Sequence, residues 1–330
     1  MVTTLRTIFL LFLFAFIFAP FSYSQTASLQ EAERFISSQS IVVNSAEDIE
    51  SLASLITTKY SDSLSRVKAA YVWVAKNIIY TEESNAGKPQ HTATNIDSVL
   101  KYKSTICAGY VNVFSFLCNK AGIACKEIDG FGRTGTQLFT DAHSSVNHAW
   151  AAVWLNGRWN LTDPTWGSGY TLEGTKQFIS ATNDYYFFTE PEIFILDHYP
   201  KKSEWQLLKD TVSWSSFISY PGICLGAKEN EVSQCLPAQS LICTEAGSRI
   251  QFAFTSKKPL QSIVLLSKQK GFQERGVLQK KNNIYSYTYT IPAAGRYDLQ
   301  IDLNDYDITK PGTYSSLIDF IYFVDATAKK

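Results

Sequence analysis

Charge of one sign is what this chain lacks: its 330 residues carry 30 Lys and Arg against 30 Asp and Glu. No block of lysine or arginine marks a nucleic-acid groove or an acidic-membrane patch, so nucleic acid is not an expected partner. Charge of either sign is also sparse, at 18%, while hydrophobic residues reach 45%. That balance excludes a disordered chain and allows two ordinary domains with real cores. Long apolar runs are missing after Ala19, so no later segment spans a bilayer. Cys-x-x-Cys pairs are absent too, and no histidine neighbours the cysteines, which argues against a zinc site.

The one long apolar stretch lies at the start. Arg6 supplies a positive region, Ile8 to Ala19 an apolar one, and Ser22-Tyr23-Ser24 a small-x-small cleavage site before Gln25. Residues 1–24 therefore read as a signal peptide. The expected mature protein is secreted or periplasmic, with no membrane span. Export lets cysteines oxidise. Of the six, at 107, 118, 125, 224, 235 and 243, the last three form the expected source of a disulfide. Cys118 follows Cys107 by three helical turns, too far to bridge it.

Cys107 opens the segment STICAGYVNVFSFLCNKAG, Ser104 to Gly122. Ser104 and Thr105 are helix-capping types, Val111, Phe114, Leu117 and Cys118 recur at helical spacing, and Gly122 can end the helix. A cysteine in the first turn meets free N–H groups and the positive end of the helix dipole, which favour the thiolate. A small buried hydrophobe is the equally plain alternative.

A carboxylate-oriented histidine is the natural complement to such a sulfur, and HAWAAVWLNGRWNLTDPTW, His148 to Trp166, contains one. Asn156-Gly157 is a strong hairpin signal. With that pair as a two-residue turn, Leu155 faces Arg158, Trp150 faces Asp163 and His148 faces Thr165. His148 and Asp163 become diagonal neighbours on one face, shared with Ala152, Trp154, Trp159 and Leu161 and expected to be buried. A buried imidazole and a buried carboxylate each need what the other offers. His91 and His143, by contrast, fall in polar loop sequence (82–94 and 132–145) and read as solvated.

Elsewhere in this half, Ser45 and Asp48 predict a capping box before a helix with Ile49, Leu52, Leu55 and Ile56 inward. A second helix carries Leu64, Val67, Tyr71, Val74 and Ile78 on one face. Cys125 to Gly130 reads as a strand.

Taken together, SRVKAAYVWVAKNIIY, STICAGYVNVFSFLCNKAGIAC and NHAWAAVWLNGRWNLTDPTW resemble the transglutaminase-like superfamily, with Cys, His and Asp blocks in order. The phrase DYYFFTEPEIFILDHYPKKSEWQLL, Asp184 to Leu208, is similar to the kyphoscoliosis-peptidase branch. The resemblance covers roughly residues 60–210 and implies, within a catalytic domain expected over residues 25–210, a papain-like α+β core with its cysteine helix packed on an antiparallel sheet bearing His148 and Asp163. It implies Cys107 as nucleophile, His148 as general base and acid, and Asp163 as the orienting carboxylate. Trp166 would wall the cleft, and Tyr102 is the candidate for a second oxyanion donor beside the Cys107 N–H. No calcium loop is recognisable, and no metal or cofactor is expected.

Residues 211–330 shift to alternating patterns at Arg249–Thr255, Ile263–Lys268, Ile284–Ile291, Tyr297–Leu303 and Leu317–Val324, broken by Asn282-Asn283, Pro292 to Gly295 and Pro311-Gly312. They predict a small β-sandwich, and Gly295-x-Tyr297 resembles the tyrosine-corner strand of immunoglobulin-like domains. Residues 209–245 read as connector or first strand. The function expected is thiol-dependent acyl transfer on peptide or protein amides, hydrolysis favoured. The alternatives are a cross-linking or deamidating transglutaminase and a peptide- or glycan-binding scaffold without turnover. Oligomeric state is not legible.

Overall fold

The computed structural model describes residues 22–81, 93–133, 145–171, 177–304 and 319–329. Residues 1–21, with most of the expected signal peptide, lie outside these, as do His91, His143 and Pro311-Gly312.

The first half is built on helices α1 (Ser22–Ser37), α2 (Ala46–Lys59), α3 (Ser63–Asn77), α4 (Ile96–Tyr102) and α5 (Cys107–Lys120). Their starts are chemically marked. Ser45 and Asp48 form the expected capping box of α2, while Asp62 and Asn95 cap α3 and α4. Ile49, Leu52 and Ile56 of α2 are buried as expected. In α3 the single inward face was too narrow a reading: every residue from Val67 to Ala75 is buried, because α1 and α5 both pack against it.

Two short parallel strands, β1 (Ile79–Tyr80) and β2 (Ser104–Thr105), precede α5. Ser104 and Thr105 are thus strand residues, not caps. Their hydroxyls are engaged elsewhere, Ser104 with Thr81 and Thr105 with the Ala93 carbonyl. Ile106 occupies the capping position of α5 and offers no side-chain bond. The other end of α5 follows expectation, with Gly122 left-handed at φ 79°.

The central sheet is antiparallel. It contains β3 (Cys125–Gly132), β4 (His148–Leu155) and β5 (Arg158–Thr162); a separate two-stranded sheet pairs β6 (Gly169–Thr171) with β7 (Phe178–Ser180). Next come β8 (Phe187–Thr189), helix α6 (Pro191–Phe194) and β9 (His198–Pro200), and the central order is β8-β5-β4-β3-β9. The Asn156-Gly157 turn has φ of 53° and 75° and the predicted register, Leu155 against Arg158 and Ala151 against Thr162. The ladder stops at Thr162, so Asp163 is not paired with Trp150.

Both faces of β4 are buried, which alternation alone did not reveal. Ala149, Ala151 and Val153 join the cluster under α5, with Phe114, Leu117 and Cys118. Trp150 and Ala152 join a second cluster with Ile128, Leu161, Tyr186 and Phe194. The expected buried face fails only near the turn, where Trp154 is 45% exposed. Full burial of side chains of this size contributes on the order of 1.5–3 kcal/mol each. β3 also runs past Gly130, so Gly132 and Arg133 are buried where an exposed loop was expected.

Beyond β9, a 3-10 turn (Ser203–Gln206), α7 (Trp214–Ser219), β10 (Gly222–Ile223) and α8 (Leu225–Glu229) lead to β11 (Val232–Leu236) and β12 (Leu241–Glu245). Strands β13 (Arg249–Ser256), β14 (Ser262–Ser267), β15 (Phe272–Val277), β16 (Gln279–Lys281), β17 (Ile284–Thr290), β18 (Gly295–Leu303) and β19 (Phe320–Thr327) complete the chain. They form one sheet containing β10, β12, β14, β15, β18 and β19, and another ordered β11-β13-β17-β16. Phe252 and Phe254 of one sheet share a core with Leu299, Ile301 and Tyr322 of the other. The first four predicted strands are present, and so is the fifth from Phe320 on, its predicted start at Leu317 lying outside the described residues. The Tyr297 hydroxyl, however, is buried without a hydrogen-bond partner among the described residues, so it makes no tyrosine corner. The expected disulfide is also not formed. All six cysteines are free thiols; Cys224 precedes α8, and Cys235 and Cys243 stand on strands of different sheets.

Candidate active site

α5 lies across β3 and β4, which brings its first residue, Cys107, beside the first residue of β4, His148. The thiol lies close enough to His148 and to the Ala149 backbone N–H for both to favour its ionised form. Cys107 remains half-buried, reachable from solvent. No side chain caps α5, and of its first-turn N–H groups that of Gly109 donates to the Ile106 carbonyl. Two glycines make this close packing possible. A Cβ on Gly109 would lie 2.1 Å from Thr105 Oγ1, and one on Gly132 would lie 2.8 Å from His148 Cγ.

The far side of the imidazole is held by Asp163. His148 Nε2 is 2.7 Å from Asp163 Oδ2, and both side chains are buried. Asp163 has left the sheet and starts the D-P-T-W turn. Its Oδ1 accepts the backbone N–H groups of Thr165 and Trp166 at 2.8 and 3.1 Å, and its own N–H donates to the Tyr186 carbonyl. The same turn delivers Trp166, stacked on His148 with centroids 4.6 Å apart and planes 23° from parallel.

Electrostatics follow from these contacts. Burial pushes the Cys107 thiol up, but the hydrogen bond and charge of His148 outweigh it and leave the group below its ordinary value. Burial pushes His148 down, yet the Asp163 charge dominates and raises it to about 10. Burial would raise Asp163; the two imidazoles around it hold it well below the usual carboxylate range. Both shifts favour the thiolate–imidazolium form of the pair over the neutral one.

The second imidazole belongs to His198, at the start of β9, which sequence reasoning passed over. Its Nε2 lies 3.0 Å from Asp163 Oδ2, and its Nδ1 lies 2.5 Å from Asp197 Oδ1. Phe194 stacks on its other face at 3.9 Å. The only hint in the sequence was an adjacent Asp-His pair set in apolar surroundings. His148, Asp163 and His198 bring metal-ligand atoms within 4.8 Å of one another. Here both Nε2 atoms are spent on one carboxylate oxygen and His198 Nδ1 is spent on Asp197, so the set favours a hydrogen-bonded chain over a metal. Of the other expected site residues, Trp166 joins the group. Tyr102 closes α4 and is separated from Cys107 by left-handed Lys103 and by β2.

Residues 50–164 match the family model of the transglutaminase-like superfamily. Kyphoscoliosis peptidase of Mus musculus is 32% identical over 253 residues, 76% of this chain and 37% of that protein. Kyphoscoliosis peptidase of Homo sapiens is 31% identical over 280 residues, 84% of this chain and 41% of that protein. Hillarin of Drosophila melanogaster is 32% identical over 126 residues, 34% of this chain and 15% of that protein. The chain thus spans about two-fifths of the length of the kyphoscoliosis peptidases it matches.

Proposed function

The chain belongs to the transglutaminase-like superfamily, and from that premise we propose that it is a cysteine acyl-transfer enzyme hydrolysing amide bonds of peptides or proteins. The observation that carries this reading is a half-buried thiol beside an imidazole that a buried carboxylate orients. The Cys107 thiolate attacks the amide carbonyl carbon, and the oxygen takes up the negative charge at the N-terminal end of α5, where the Cys107 N–H is the expected donor. When the tetrahedral intermediate collapses, the C–N bond breaks and the amine leaves with the His148 proton, which gives a thioester and a neutral imidazole. His148 then takes a proton from water as its oxygen attacks the thioester. Collapse releases the acid and restores thiolate and imidazolium.

Water is favoured over an amine as second nucleophile because it needs no acceptor site. Trp166 walls the cleft beside His148. The reading includes export with residues 1–24 removed; α1 runs across that point, from Ser22 to Ser37, and its buried core residues Leu29, Ala32 and Ile36 all lie beyond it. It also includes an immunoglobulin-like bracing role for the C-terminal sheets, supported by their shared core.

The test is to treat the purified protein and Cys107→Ala with iodoacetamide at neutral pH, then assay peptide cleavage and ammonia release from peptide-bound glutamine. Fast labelling of Cys107 in preference to Cys118, with cleavage lost in the variant, is the expected result. Ammonia release without cleavage would point to deamidation. Activity surviving in Cys107→Ala would sink the mechanism, and an inert Cys107 would leave the scaffold reading.

A further inference from the structure

Lys228 sits in α8, the short helix that opens the C-terminal β-rich half. Its neighbour Ala227 is buried in the core shared by the two C-terminal sheets. The Lys228 ammonium, however, reaches the catalytic half. It pairs with Asp197 Oδ2, donates to the Tyr186 hydroxyl, and lies 4.2, 4.3 and 5.9 Å from the ring centroids of Tyr186, Tyr185 and Trp166. Its side chain is 3% exposed. An ammonium so placed is costly to bury unless its partners are fixed.

From Asp197 the contacts continue without a break. His198 bridges Asp197 and Asp163, Asp163 holds His148, and His148 holds Cys107. Donors and anions alternate along the whole line: ammonium, carboxylate, imidazole, carboxylate, imidazole, thiolate. Each member fixes the next, and chains of this kind strengthen in a low-dielectric interior. Lys228 also grips the site from a second side, since Trp166 stacks on His148.

We propose that Lys228 is a positioning residue for the Cys107–His148–Asp163 triad, supplied by the C-terminal half and acting through Asp197, His198 and Trp166. This rests on the cysteine-enzyme reading above. It extends that reading by making the triad depend on residues beyond the stretch 50–164 that matches the family model. The ionisable groups facing Lys228 are Asp197, Tyr185, Tyr186 and Cys224, with Asp163 further along and Arg133 near Asp197 and Cys224.

The experiment compares full-length wild type, Lys228→Met and Lys228→Arg by iodoacetamide alkylation of Cys107 across a pH series, with circular dichroism as the check on folding. Removing the cation leaves Asp197 underpaired and weakens support for the thiolate. The expected result for Lys228→Met is a profile displaced upward by about one pH unit, which is about a tenfold slower reaction on its lower limb. Lys228→Arg should recover part of the loss, since it restores charge but not shape. A folded Lys228→Met with the wild-type profile would overturn the proposal while leaving the cysteine-enzyme reading intact. Should Lys228→Met not fold, Asp197→Asn decides by the same measurement: a displaced profile supports the relay and an unchanged one overturns it. A wild-type Cys107 that reacts no faster than Cys118 would instead refute the underlying reading.

Discussion

His148 pairs with Gly130 across the β3–β4 ladder and its side chain leans over Gly132, so close that a Cβ at position 132 would lie 2.8 Å from the imidazole Cγ and 2.9 Å from its Cβ and Cδ2. The ring cannot yield easily, because Asp163 holds its Nε2 and Trp166 covers one face. Gly132→Ala is therefore expected to push the imidazole away from Cys107. Misplacement on the order of 1 Å costs about 100-fold in rate, and overpacking costs about 1–3 kcal/mol in stability. Cys107 alkylation at neutral pH and a urea titration measure the two effects. A folded variant alkylated at the wild-type rate would mean that the glycine serves only the strand.

The ion pair also predicts how stability responds to pH. His148 is raised from 6.5 to about 10 in the folded protein. A group raised on folding contributes stability that is fully present below pH 6.5 and is lost as pH rises through about 10. Cys107 is depressed, so its contribution is present above 9.0 and declines as pH falls through its lowered value. Replacing the imidazole in His148→Gln removes the first contribution and most of the second. The two contributions run oppositely with pH and offset each other up to 9.0. Wild type should therefore exceed the variant in unfolding free energy by more at pH 6.5 than at pH 10, with the fall concentrated above 9.0, where only the imidazole's contribution still changes. Urea unfolding of both proteins at the two ends of that window checks the sign; a gap that widens with pH would contradict the imidazolium assignment.

What could be read in the sequence was local. The Asn156-Gly157 turn set the register of β4 and β5 with no help from the rest of the chain, and that register placed His148 near Asp163. The cysteine helix was legible from its apolar spacing. Its start was misjudged because Ser104 and Thr105 have the chemistry of caps, while contacts with Thr81 and Ala93, far off in sequence, claim their hydroxyls. Long-range partners were invisible for the same reason. His198 reaches Asp163 across 35 residues from a three-residue strand too short to show a period. Lys228 looks like any surface lysine until α8 is docked. The double burial of β4 likewise depends on what covers each face, which alternation cannot report.

Asp163 is where the two imidazoles meet, and its replacement separates orientation from charge. Asp163→Asn keeps an oxygen for the Thr165 and Trp166 N–H groups that Oδ1 now accepts. The amide nitrogen would then face the Nε2 atoms of His148 and His198, a donor set against donors. One imidazole must give up its proton or turn away, and both lose the anion that holds them. Removing the anion from a buried pair of this kind costs about 3–5 kcal/mol. Loss of the orienting carboxylate in a nucleophile–histidine triad lowers turnover by about 10⁴. The variant should therefore melt earlier and alkylate far more slowly at neutral pH, with the rate recovering as pH rises and the thiol ionises without help. Measuring the melting transition and the alkylation profile together separates the effects. An early melt with an unchanged profile would reduce Asp163 to a structural anchor, whereas both changes together identify the carboxylate that keeps His148 charged and in place.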